Sequence, residues 1–139
     1  GIGTAKGSHT PEKPFTGGES MEMIYASLRE CSLCHRCYVA PLQDVERNSV
    51  WVSHLRSMVP RFDVAYSNNP LVVQLISEAG IAVRKPPMYQ REVYSGTAIR
   101  RLMREGGDWE RLVPRAVAEI IREMGGVERL VSVSKSDVL

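Results

Sequence analysis

Apolar residues recur at helical spacing in five stretches, with short apolar blocks of strand length between them. Met21, Ile24, Tyr25 and Leu28 predict one face of a helix ending near Leu28, and Thr16 and Glu19 stand ahead of it at capping-box spacing. Trp51, Val52, Leu55 and Met58 predict a helix over 49–58, ended by Pro60. Leu71, Val72, Leu75, Ile76 and Ala79 form a third stripe. It starts at Asn69-Pro70, an N-cap followed by a proline in the first turn, and stops at Gly80. Ser95 is an N-cap for a helix reaching about Glu105 before Gly106-Gly107. Pro114 opens a helix with Val117, Ile120, Ile121 and Met124 inward, closed by Gly125-Gly126. From Val127 a last apolar patch turns polar, so the tail is expected to fray after Ser132, leaving 133–139 loose. Strands are predicted over Cys37–Leu42 (stopped near Pro41), Phe62–Tyr66 and Ile81–Arg84, and Gly1–Thr10 reads as a strand end entering a polar loop. Alternating strands and helices imply an α/β fold, a parallel sheet with helices on both faces and one domain over 1–139. Ligands of such folds bind beyond the carboxyl ends of the strands, where the polar loops fall.

Composition narrows the function classes. A chain of 139 residues, 43% hydrophobic and 24% charged, is long enough for a core of its own. A formal charge of only +2 gives no case for a nucleic-acid partner. No apolar run approaches membrane-span length, and no secretory apolar region stands at the start. Three cysteines, an odd number, argue against a disulfide scaffold and point to a reducing compartment, the cytoplasm. The basic residues Arg100, Arg101 and Arg104 make a local field rather than a global one.

Tyr94-Ser95-Gly96-Thr97-Ala98-Ile99-Arg100-Arg101 carries the clearest chemistry. Hydroxyls from Ser95 and Thr97, a glycine allowing close approach, first-turn N–H groups and Arg100 one turn in together suit an anion, most naturally phosphate. An ordinary capped helix with a surface arginine has the same signature. Cys31, Cys34 and Cys37, with His35 between them, have zinc-like spacing, but no fourth cysteine or second pair completes a site. Structural cysteines are the simpler reading, and no metal ligands are assigned. His9, between Ser8 and Thr10, suits either a phosphate contact or plain solvation. Trp51 suits either the core or a stacking platform, with Asp44 and Asn48 nearby for hydrogen bonds. Trp109 reads as packing.

Taken together, Ser8-His9-Thr10, Pro14-Phe15-Thr16-Gly17-Gly18-Glu19, Asn48-Ser49-Val50-Trp51-Val52, Phe62-Asp63-Val64 and Tyr66-Ser67-Asn68-Asn69-Pro70-Leu71-Val72 stand in a recognisable order. They are followed by Tyr94–Arg101, Trp109 through Val113-Pro114, and Gly126-Val127-Glu128-Arg129. Over essentially the whole chain this resembles the archaeal-type nicotinamide-nucleotide adenylyltransferases of the nucleotidyltransferase superfamily. The resemblance implies a Rossmann-like fold and a reaction: ATP and nicotinamide mononucleotide give NAD and pyrophosphate, with Mg2+ accompanying ATP. It implies a homo-oligomer. It implies that Ser95, Thr97 and Arg100 hold the ATP phosphates, with Arg100 the catalytic group. Asp44, Val45, Asn48 and Trp51 would surround the nicotinamide, Asn68 and Asn69 the adenosine, and Ser8, His9 and Thr10 a loop beside the phosphates.

Two departures accompany the resemblance. The family opens with a strand and a His-x-Gly-His turn, and that βα unit is absent here, with His35 and His54 in other contexts. Its strand would be central, so an exposed edge and a half-open core are expected. The family also has an arginine where Ser20 stands, for which Lys6 or Lys13 would compensate. The alternative function is a short form that binds nucleotide or mediates association without catalysis.

Overall fold

The computed structural model describes residues 2–3, 7–43 and 45–135. The elements are β1 (Ile2–Gly3), α1 (Gly17–Glu30), β2 (Pro41–Leu42), α2 (Trp51–Met58), β3 (Val64–Tyr66), α3 (Pro70–Glu78) and β4 (Ala82–Arg84), then α4 (Arg91–Tyr94), α5 (Gly96–Glu105), α6 (Arg115–Glu123) and α7 (Gly126–Lys135). Single 3-10 turns lie at Cys34–Arg36, Asn48–Val50 and Glu110–Leu112. The fold is α/β, of the Rossmann-like nucleotidyltransferase kind. Its strands form two parallel pairs, β1 with β2 and β3 with β4, and among the described residues no ladder joins the pairs. No helix among these residues is long and apolar enough to cross a membrane.

Local chemistry explains most boundaries. Thr16 and Glu19 close the predicted capping box: Glu19 N–H donates to Thr16 Oγ1 at 3.1 Å, and Thr16 N–H donates to Glu19 Oε1 at 2.8 Å. Asn69 Oδ1 accepts from the N–H groups of Leu71 and Val72, and Pro70 follows it as the first helical residue. Gly106 ends α5 in the left-handed region at φ 73°, where a side chain would be strained.

The strand predicted over Cys37–Leu42 is corrected. Cys34–Arg36 turns the chain first, and ladder pairing begins only at Pro41, which sits opposite Ile2. Proline has no N–H for a ladder, so it is tolerated at the first residue of a strand and not in its middle. Cys37 therefore follows a turn and does not open a strand. The buried face of α1 is also shifted: Met23 and Ala26 are buried, whereas Ile24 is exposed. The small Ala26 lies beside Arg115, Ala116 and Glu119 of α6, on which α1 packs. The last helix, α7, continues through Lys135, with the Ser134 hydroxyl donating to Leu130 C=O at 2.7 Å. Residues 136–139, Lys6 and Asp44 lie outside the described residues.

The main core is helical. Met23, Met103, Trp109, Ala118, Ile121 and Leu130 form one buried cluster from α1, α5, α6, α7 and the turn before α6, as packing of Trp109 requires. Gly126, at the start of α7, has no room for a side chain: a Cβ there would stand 2.8 Å from Ile121 Cγ2 and 2.9 Å from Phe15 Cε1. A second apolar region is not filled. Leu42, Trp51, Leu55, Val59, Phe62, Ala65, Val72 and Ile76 border a cavity of about 460 Å³ between β2, α2, β3 and α3.

One ion pair fastens the start of α1 to α7. Arg129 Nη1 and Nη2 donate to Glu19 Oε1 and Oε2 at 2.6 and 2.9 Å, a two-pronged pairing, and Nη1 also reaches Pro14 C=O at 3.2 Å. The hydrogen bond from Arg129, supported by the Thr16 N–H and the guanidinium charge, holds the Glu19 carboxyl down from the ordinary 4.5 to about 2, although burial opposes it. The same bond raises Arg129. A carboxyl lowered on folding stabilises the fold where it is ionised in both states. That increment is complete above about pH 4.5, shrinks as pH falls and is gone below about 2. Acid unfolding followed by circular dichroism is expected to show a flatter loss of stability between these limits in Glu19→Gln than in the parent.

Candidate functional site

Two separate regions hold the residues singled out in the sequence. The first lies at the start of α5. Ser95 adopts an extended backbone and its Oγ accepts from Ala98 N–H at 3.1 Å, so the predicted cap is made. The hydroxyl proton of Ser95 is not used by that bond and remains able to donate. Other N–H groups of the first turn lie at the same end with the positive pole of the helix. Arg100 folds back over this end. Its Nη2 lies 3.5 Å from Thr97 Oγ1, and its Nη1 lies 2.7 Å from where a Cβ at Gly96 would stand.

Gly96 is therefore required for the arginine's position rather than for its own backbone. A methyl group there must push the flexible guanidinium aside.

Thr97 and Arg100 line an open pocket of about 350 Å³ with Pro11, Glu12, Arg104 and Ser134. Two arginines one turn apart, two hydroxyls and a helix start give it a surface suited to a multiply charged anion. Sequence reasoning placed Arg104 only in a local basic field and missed Glu12 and Ser134. Arg104 follows Arg100 at i+4 and was legible as a helical neighbour. Ser134 and Glu12 carry no local signal, because their place depends on how α7 and the loop after β1 pack.

The loop containing Ser8, His9 and Thr10 leads into that pocket without lining it. Ser8 Oγ and His9 Nδ1 are 2.8 Å apart. Thr10 closes a tight turn with Lys13: its N–H donates to Lys13 C=O, and its Oγ1 accepts from Lys13 N–H. His9 takes φ 62°, uncommon for a residue with a side chain, and the chain then delivers Pro11 and Glu12 to the pocket wall. Ser20 sits in the first turn of α1, its N–H bonded to Thr16 C=O.

The second region surrounds the apolar cavity. Trp51 is the first residue of α2 and lies on the cavity wall with Leu42, Tyr66 and Ser67. Asn48 opens the preceding 3-10 turn and is exposed, and Val45 is half-buried. Beyond β3, Asn68 Nδ2 donates to Pro86 C=O at 2.9 Å and contacts Met88 Sδ at 3.1 Å, tying this turn to the loop after β4. Asn69 Oδ1 is committed to its cap, which leaves its NH2 group to donate. Trp51 and the turn before Asn68 thus share one wall, at the carboxyl ends of β2 and β3.

Cys31 ends α1 in an exposed position, and Cys34 and Cys37 are half-buried; all three are free thiols. Among the described residues no group of three or more His, Cys, Asp or Glu side chains could hold a metal ion.

No family model matches the chain. Curated relatives do. A protein of Methanothrix thermoacetophila is 64% identical over 99% of this chain and 79% of its own length. One of Methanolobus tindarius is 58% identical over 99% and 78%. One of Halobacterium salinarum is 54% identical over 99% and 76%. All three are named nicotinamide-nucleotide adenylyltransferase. With identity this high across nearly every residue from α1 to α7, the chain belongs to the archaeal nicotinamide-nucleotide adenylyltransferase family.

Proposed function

We propose that the protein transfers the adenylyl group of ATP to nicotinamide mononucleotide, giving NAD and pyrophosphate. The observation that carries this is the 64% identity over 99% of the chain to a relative named for that reaction. A phosphate oxygen of the mononucleotide attacks the α-phosphorus of ATP, a new P–O bond forms, and the bond to the β-phosphate breaks as pyrophosphate leaves. No protein nucleophile is needed. The protein has to align two anions and stabilise the charge that spreads over the transferring group.

The residues suit those tasks. Arg100 is the catalytic group in this reading, donating to the ATP phosphates over Gly96. The Ser95 and Thr97 hydroxyls and the α5 N–H groups complete the cradle. Ser8, His9 and Thr10 stand beside the phosphates through the loop that carries Pro11 and Glu12. Trp51 stacks on the nicotinamide ring, with Asp44, Val45 and Asn48 around it. Asn68 and Asn69 serve the adenosine side, Asn69 through its NH2 group.

The family's chemistry uses a divalent metal with ATP, and we take it to be Mg2+. Among the described residues no side-chain cluster would cage an ion, and an ion carried mainly on the phosphates is usual for magnesium. It supplies charge neutralisation there. Assembly into a homo-oligomer and a cytoplasmic location complete the reading, and sedimentation velocity tests the first.

The direct test supplies the chain with ATP, magnesium chloride and nicotinamide mononucleotide, and follows NAD with a coupled dehydrogenase. NAD formation requiring both substrates is expected. Trp51→Ala is expected to raise the KM for the mononucleotide about tenfold, the order of one lost ring stack, with ATP affinity unchanged. If the parent chain makes no NAD and binds neither substrate, the proposal fails.

A further inference from the structure

We propose that the Glu19–Arg129 pair sets the width of the polyphosphate pocket, making Arg129 and Glu19 positioning residues for phosphate binding. The inference rests on the reading of the Thr97–Arg100 pocket as the ATP phosphate site. The pocket has two walls. One is helical, with Thr97, Arg100 and Arg104 on α5 and Ser134 on α7. The other is the loop after β1, represented by Pro11 and Glu12. Arg129 joins them. It lies on α7, five residues before Ser134, a rise of about 7.5 Å along the helix. Its guanidinium grips Glu19 on two prongs and Pro14 C=O with the same Nη1. Pro14 is buried, and Pro11 lies three residues upstream of it. One side chain therefore registers the loop wall against the helix that supplies the opposite wall.

Two features distinguish this pair from ordinary surface charge pairing. Both side chains are only 21% exposed, whereas those of Arg111–Asp108, Arg115–Glu119 and Arg122–Glu110 range from 42% to 85%. It also joins residues 110 positions apart, while two of the others link residues three or four apart on one local segment. Exposed pairs of that kind add little. Neither Glu19 nor Arg129 lines the pocket, so they act on the ligand through the loop.

The test is calorimetric titration of the full chain with magnesium pyrophosphate, well below the unfolding temperature of every variant, with circular dichroism checking the fold. Glu19→Gln is the deciding substitution. Glutamine keeps the capping box, so α1 still starts at Gly17. Removing a negative charge near the pocket would by itself tighten anion binding, whereas loss of register weakens it. Expected is a weakening of about tenfold in Glu19→Gln and Arg129→Met, the order for a modest misplacement of binding groups. Partial recovery is expected in Arg129→Lys and in the exchanged pair Glu19→Arg with Arg129→Glu. If Glu19→Gln binds pyrophosphate as well as or better than the parent while Arg100→Gln weakens it, the pair is only structural and the inference is overturned. If Arg100→Gln leaves pyrophosphate affinity unchanged, the reading of the pocket itself fails, and this inference with it.

Discussion

Arg100→Gln is expected to lower kcat/KM for NAD formation by about 10²- to 10³-fold, the usual effect of removing one preorganised charge-stabilising donor. The reasoning is local. Arg100 folds over the start of α5, where its side chain makes a long 3.5 Å contact to Thr97 Oγ1. Little stability depends on it, so the melting temperature should stay near that of the parent, within about 0.5 kcal/mol in free energy. Steady-state kinetics in both substrates would place the loss. A fall in kcat with ATP affinity nearly kept marks stabilisation of the transferring group, and a rise in the KM for ATP alone marks simple anchoring. Arg100→Lys restores the charge without the planar fork, and should recover only part of the rate.

The largest stability effect is expected at Leu130. It is 0% exposed, on the inner face of α7 in a cluster with Met23, Met103, Trp109 and Ile121. Leu130→Ala should destabilise the fold by about 3 kcal/mol, the transfer term plus a cavity that its packed neighbours close only partly. A drop of roughly 10 °C in melting temperature follows for a chain of this size. Leu130→Met keeps the volume and should lose less than about 1.5 kcal/mol. Thermal melts of the two variants side by side separate lost volume from altered shape.

What the sequence disclosed, it disclosed where neighbours in the chain decide the outcome. Asn69-Pro70 and Gly80 bracket α3 because capping and left-handed termination are contacts within one turn. Thr16 and Glu19 made their box for the same reason. Trp109 was legible as packing. The misses required tertiary partners. The ladder at Pro41 needs Ile2, far away in sequence, and among the described residues the run before it has no ladder partner. The run of α7 past Ser132 to Lys135 depends on Leu130, which anchors the helix in the core. In the site, Ser95, Thr97 and Arg100 share one helix start and were read together. Ser134, Glu12 and the Arg129 partner of Glu19 come from elements that only packing unites.

The bond between Arg129 and Glu19 spans 110 positions in the chain. During synthesis from the amino end, Thr16 can cap α1 at once, but its anchor to α7 does not exist until Arg129 has been made. The entropy of closing so large a loop must be met before the contact rewards it, so this clasp belongs to the last events of folding. Order of assembly thus runs opposite to order of use. The turn at Thr16 is made early and fixed late, and a nascent chain holds the loop around Pro14 unclasped until α7 has been made.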